Sequence, residues 1–168
     1  MTSILIALAS VPGLALAGDD GLRAQRLFHI ERNKNANIVV YDAMVEADGN
    51  LPKKDRKTVE VYWLRLAEDG RRRKLKRIER RLAYGIKVKG RTGNRLTLKM
   101  RAKIGRPLTV DGVDGVYRAF IEIAGRPAIL ERVYIFAEEK AVMPEVKYLE
   151  LFGTDLETGE EAYEKLEP

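Results

Sequence analysis

Arg26-Leu-Phe-His-Ile-Glu-Arg32 and Asn37-Ile-Val-Val-Tyr-Asp-Ala-Met-Val45, joined by Asn33-Lys-Asn-Ala36, are the residues from which the fold is read. In both runs the large apolar side chains recur at every second position, the period of a strand with one face against a core. The Asn-rich connection tolerates the left-handed backbone a tight reversal needs, so the runs read as an antiparallel hairpin. If they pair about that turn, Phe28 opposes Tyr41 and Ile30 opposes Val39 on an apolar face. The other face then carries Leu27, His29 and Glu31 opposite Asp42, Val40 and Ile38.

The same period continues over Thr58 to Leu66, Tyr84 to Lys89, Arg95 to Ile104, Val116 to Ala124, Pro127 to Ala137 and Val146 to Phe152. Turn chemistry separates these runs at Asp48-Gly-Asn50, Gly90-Arg-Thr-Gly-Asn94, Asp111-Gly-Val-Asp-Gly115 and Gly125-Arg-Pro127. The expectation is a mainly β domain of about eight antiparallel strands, a β-sandwich or an up-and-down barrel. Two stretches depart from it. In Arg73 to Ala83 the apolar Leu75, Ile78 and Leu82 follow helical spacing, which predicts a basic amphipathic helix. In Thr158 to Leu166, Ala162, Tyr163 and Leu166 suggest a short C-terminal helix.

The first residues are uncharged and apolar, and the first charges are Asp19 and Asp20. Ala15-Leu16-Ala17 has the small-x-small pattern of a cleavage site, so residues 1–17 read as a signal peptide and residues 18–168 as a single β-rich domain. An exported chain, periplasmic or extracellular, is the expectation. With no cysteine in 168 residues, disulfides and thiol chemistry are excluded, and packing must hold the domain together.

Charge is strongly segmented. Residues 71–106 hold sixteen Lys or Arg against the single acid Glu79, while residues 137–168 hold ten acids against three bases. Arg77 and Arg81 on the expected helix, Lys87 and Lys89 on the next strand, and Lys99, Arg101 and Lys103 on the one after would form one cationic surface. Such a surface suits an anionic envelope component: a polysaccharide, peptidoglycan or a lipid headgroup. Nucleic acid is not expected, because no aromatic residues interleave with the bases.

Two smaller constellations stand beside it. His29 between Glu31 and Asp42 has the residue types of a general-base site, and an envelope hydrolase is the reading that follows. Arg32, Asn33 and Asn35 in the turn, with Tyr62 as an exposed ring, could meet a polar ligand. A third reading is a lipocalin-like carrier with a small ligand inside a closed barrel. One histidine without cysteine falls short of a zinc site, and Asp111 to Gly115 lacks calcium-loop spacing, so neither metal nor cofactor is expected.

Leu27 to Asp42, Val61-Tyr-Trp-Leu-Arg65, Ala83-Tyr-Gly85 and Leu151-Phe-Gly-Thr-Asp155 together resemble a bacterial exported family, domain-of-unknown-function family 4833. His29, Arg32, Asn33, Asn35, Trp63 and Gly153 match its motif positions. The resemblance implies one compact domain behind a leader sequence and implies no activity.

Overall fold

The computed structural model describes residues 21–102, 104–140 and 144–167, so the expected leader lies outside the described residues. The chain is mainly β. Eleven strands run in chain order: β1 Arg23–Arg32, β2 Asn35–Val45, β3 Val59–Leu64, β4 Arg72–Lys74, β5 Ile86–Thr92, β6 Arg95–Met100, β7 Leu108–Val113, β8 Val116–Ile123, β9 Arg126–Glu138, β10 Glu145–Asp155 and β11 Glu161–Leu166. A short helix, α1 Arg77–Glu79, and a wider helical turn over Arg80–Tyr84 lie between β4 and β5.

The strands form one sheet, curled into a half-barrel, in the order β4-β3-β2-β1-β9-β8-β7-β6-β5, with β10 and β11 attached at β9. The central hairpin has the expected register, Phe28 opposite Tyr41, His29 opposite Val40 and Ile30 opposite Val39. Strand β9 is the branch point. One of its edges bonds β10 along Ala128 to Glu138, and the other bonds first β8, at Arg126 to Ile129, and then β1, at Arg132 to Ile135. The β1 pairing is parallel, which corrects the all-antiparallel expectation. Hydrophobic alternation reports that a strand has a buried face and is silent about the direction of its neighbour.

Three other expectations change. Residues 161–166 form strand β11 on β10, not a helix. Their apolar spacing fits either period over so short a stretch, and the unpaired edge of β10 decides. Arg72 to Lys74 pair with Tyr62 to Leu64, so the basic helix cannot begin at Arg73 and is confined to α1 and the wider turn after it. Leu75 is buried there, whereas Ile78 and Leu82 are 63% and 49% exposed. A strand absent from the reading, β7, occupies Leu108–Val113, and its reversal is only Asp114-Gly115.

One core fills the curl. Phe28 stacks on Tyr41 at 4.3 Å between ring centroids, and Trp63 meets Tyr84 edge-on at 5.2 Å. Leu96, Leu98, Val110 and Ala119 from the opposite half join the same buried cluster. The halves are fastened at both ends. Arg91 donates to the carbonyls of Leu51 and Pro52, and Tyr117 Oη donates to Gly49. At the other end Tyr41 Oη donates to the Tyr84 carbonyl at 2.7 Å, inside the core.

Gly153 lies beside the bulge that β9 makes at Glu131, and a Cβ there would run into the Ile129 carbonyl oxygen. Backbone cannot step aside cheaply in a paired sheet. Gly153→Ala is therefore expected to cost about 2–3 kcal/mol in urea unfolding. Gly90→Ala, whose new methyl would meet only Thr97 at 3.9 Å, should cost under about 1 kcal/mol.

Candidate functional site

The hairpin that decides the fold also carries the first candidate group. A bulge between Arg26 and Phe28 shifts the register by one, so Arg26, and not Leu27, stands opposite Asp42. That shift separates the three residues proposed to act together. Asp42 is buried and accepts from Arg26 Nε at 2.7 Å and from Tyr62 Oη at 2.6 Å, with Arg72 at 3.8 Å. His29 instead meets Glu31 through Nε2 at 3.0 Å, and Glu31 also accepts from Arg132 at 3.0 Å. Arg132 reaches this place because parallel pairing sets it beside His29, and its guanidinium lies 3.7 Å from the centre of the Phe152 ring.

Electrostatics follow from these partners. Partial burial works against the Glu31 charge, but hydrogen bonds from His29 and Arg132, with the Arg132 charge, prevail and hold its pKa below the ordinary 4.5. Burial first, then the hydrogen bond to Asp42, push the Tyr62 phenol up to about 12. Tyr62 is thus not the exposed stacking ring expected from the sequence: it is 3% exposed, with Arg72 over its face at 4.3 Å. Strand alternation requires that one of Tyr62 and Trp63 face away from the core. It does not require that face to be open, and here Asp42, Arg26 and Arg72 cover it.

The Asn33 and Asn35 side chains are bonded within the fold. Asn33 donates through Nδ2 to the Ala137 carbonyl and accepts through Oδ1 from the Ala137 N–H, both at 2.9 Å. Its side chain thereby acts as one more rung on the β1–β9 ladder. Asn35 Oδ1 accepts from the Asn37 N–H, tightening the turn, and Arg32 donates to Tyr84 Oη at 3.2 Å.

Two clefts lie at the rims. One of about 600 Å³ is lined by Arg23 at the start of β1 and by the loop residues Asp48, Asn94 and Asp114. The other, about 410 Å³, opens where β1 and β8 diverge and is lined by Arg26, Leu27, Tyr117, Arg118, Ile129, Glu131 and Thr154. Neither lining includes His29. No group of three His, Cys, Asp or Glu is placed to hold a metal among the described residues.

The cationic surface is brought together. Lys87 stands directly opposite Lys99 on β5 and β6, and Lys89 sits at the bulge beside them. Arg101 donates its N–H to Gly85, against which the Arg80 side chain packs, so the helical turn and the hairpin are contiguous. Arg77, Arg81, Lys87, Lys89, Lys99 and Arg101 are exposed and form no ion pair among the described residues, as are Lys74, Lys76 and Arg80. Lys103 lies outside the described residues. Other bases of the same block are neutralised locally: Arg73 by Glu79, Arg91 by Asp55, Arg95 by Asp111 and Arg106 by Glu164.

The sequence reading missed a stripe of partly exposed rings on the outer side of β9, β10 and β11. Phe136 stacks on Tyr148 at 4.9 Å, Tyr134 lies 6.4 Å from Tyr148, and Phe152 lies 5.2 Å from Tyr163. Each ring sits on the polar phase of its strand, a signal available in the sequence once the inner face is fixed.

A family model described as Domain of unknown function (DUF4833) matches residues 28–165. No curated protein and no solved structure matches the chain.

In a double-mutant cycle read by urea unfolding, Asp42→Asn with Tyr62→Phe should couple by about 1 kcal/mol or more, as groups in one hydrogen-bond network do. Asp42→Asn with His29→Ala should couple by less than about 0.5 kcal/mol. Because the folded pKa of Glu31 is depressed, its stabilisation is present above the ordinary 4.5 and lost as pH falls through the folded value. The stability difference between wild type and Glu31→Gln should therefore vanish on acidification, and the Glu31 carboxyl should titrate below 4.5 by NMR.

Proposed function

This chain belongs to the family of the domain of unknown function DUF4833, and on that premise we propose that it is a noncatalytic binding module for an anionic envelope component. The supporting observation is the Lys87–Lys99 pair. Like charges directly opposite on neighbouring strands repel, and no acid among the described residues relieves this pair. Elsewhere in the same basic block an acid is supplied within ion-pair distance, as Glu164 is to Arg106 at 2.7 Å. A face kept cationic in this way gains when a polyanion arrives and displaces its counterions.

The rival readings have less under them. A hydrolase around His29 would work with Glu31 alone, since Asp42 is bonded to Arg26 and Tyr62. A lipocalin-like carrier needs an open lumen, whereas the curl of this half-barrel, whether ranked with sandwiches or with barrels, is filled by Phe28, Tyr41, Leu96 and Leu98. The noncatalytic reading places its ligand on the outside of the sheet. Polysaccharide, peptidoglycan and lipid headgroup are its candidate partners, met in the periplasm or beyond the cell after export through the leader read over residues 1–17.

The test is retention on dextran sulfate at low salt. Wild-type protein should bind and be released as salt rises. Lys87→Glu with Lys99→Glu should weaken binding at least about tenfold, since each cation at an anionic surface contributes about 1 kcal/mol. Reversing Lys140 and Lys165, which lie after β9 and in β11, should leave binding nearly unchanged. Equal loss from both pairs, or retention that ignores salt, would overturn the proposal.

A further inference from the structure

Resting on the cationic reading above, we infer that the anionic partner is the surface of a lipid bilayer, entered by Ile78 and Leu82. These two side chains are exposed at 63% and 49% between β4 and β5, Ile78 on α1 and Leu82 on the wider helical turn that continues it. They stand four residues apart, the spacing that puts side chains on the same side of a helical turn. Lys74, Lys76, Arg77, Arg80 and Arg81 surround them in sequence, all exposed and without ion pairs among the described residues. The one acid of the segment, Glu79, is held by Arg73 at 2.8 Å and by the Lys76 N–H, and so offers no free charge to repel a phosphate.

The combination distinguishes between anionic partners. A soluble polyanion would satisfy the cations and leave both aliphatic side chains in water. A bilayer would satisfy both, with phosphates at the level of the Lys and Arg heads and the acyl boundary a few ångströms deeper. The other large exposed apolar residues, among them Val113 and Val116 at the β7–β8 reversal and Leu156 after β10, have no such collar of unpaired bases.

The turn is also fixed in place before any ligand arrives. Leu75 anchors its entry in the core, and Tyr84 anchors its exit beneath Trp63 with its carbonyl held by Tyr41. Insertion then orders little that is not already ordered, which favours binding by two short side chains. Ile78 and Leu82 are held outward by those anchors. This explains why an apolar pair remains unburied in a chain whose other helical-phase residue, Leu75, is only 7% exposed.

Protein purified from exporting cells would be floated with vesicles of phosphatidylcholine alone and with about one-third phosphatidylglycerol, and tested beside them on dextran sulfate. Residues 1–17 are treated identically in every variant and cancel from the comparison. Wild type should float with the anionic vesicles and not with the neutral ones. Ile78→Ser with Leu82→Ser should lower vesicle affinity at least about tenfold and leave dextran sulfate retention unchanged, because only the bilayer buries those groups. A Leu82→Trp variant should gain a blue-shifted emission component with anionic vesicles and none with dextran sulfate. Lys87→Glu with Lys99→Glu should weaken both interactions. Retention on dextran sulfate without flotation, or flotation indifferent to the double Ser substitution, would refute the bilayer and leave the polyanion reading standing. Failure to bind either probe would remove both.

Discussion

Strand β9 bonds two different strands along one edge, and the remainder of the molecule is arranged around the consequence. Where β8 leaves that edge after Ile129 and β1 joins it at Arg132, two strands diverge whose facing edges do not pair with each other. Unpaired backbone groups in a protein interior are costly, so the fork requires substitutes. Two amide side chains supply them. Gln25 on β1 accepts from the Tyr117 N–H and donates to the Gly115 carbonyl, bridging to β8 beyond the fork. Asn33 does the same for Ala137 at the other end, extending the parallel ladder past the last residue of β1. An amide carries the donor and acceptor of a peptide group, and that is why these positions are Gln and Asn and not Ser or Thr.

Divergence at the fork lets the two halves of the sheet turn toward each other and share one core. It also fixes what lies outside. The face of β1, β2, β3 and β9 that looks away from the core carries Asp42, Tyr62, Glu31 and Arg132, and each finds its partner there. These are ion pairs with hydrogen bonds at their remaining valences, the condition under which half-buried charges are tolerated. The chemistry on this face is accordingly occupied with itself. At the far end of the sheet, Lys87 and Lys89 on β5 and Lys99 on β6 have no such partners among the described residues.

The local half of this fold was readable and the non-local half was not. Alternation identified the β1–β2 hairpin and its central register to the residue, because both strands and their turn are contiguous. The bulge at Leu27 was invisible, since a single skipped position leaves composition and period almost unchanged, and it moved Asp42 from His29 to Arg26. Parallel pairing of β1 with β9 joins residues about a hundred positions apart, and no local pattern encodes it. For the same reason Arg132 was missed as the partner of Glu31. The cationic block was legible as a charge excess, but which of its members are neutralised depends on Asp55, Asp111 and Glu164, brought up by three different connections. The spacing of Leu75, Ile78 and Leu82 signals a helix but does not say which of the three is buried. Pairing of Arg72 to Lys74 with β3 leaves Leu75 buried ahead of the helix, and Ile78 and Leu82 exposed on it.

Edge protection offers a competing account of the free cations, and the topology separates its share from the rest. Strands β4 and β5 are the two ends of the main strand order, and lysine on an edge discourages pairing with another chain. That accounts for Lys74, Lys87 and Lys89. It does not require that Lys99 stand directly opposite Lys87, on a strand that pairs with β5 through Met100 and with β7 only as far as Leu98. Nor does it reach Arg77, Arg80 and Arg81, which belong to a helical turn with no sheet edge to protect. If deterring aggregation were the whole role of this charge, Lys99 would be better placed as a threonine, whose hydroxyl would relieve the repulsion from Lys87 at no cost to the edge. Lys99 and the turn arginines are what an anion held against that face, as we propose, would account for.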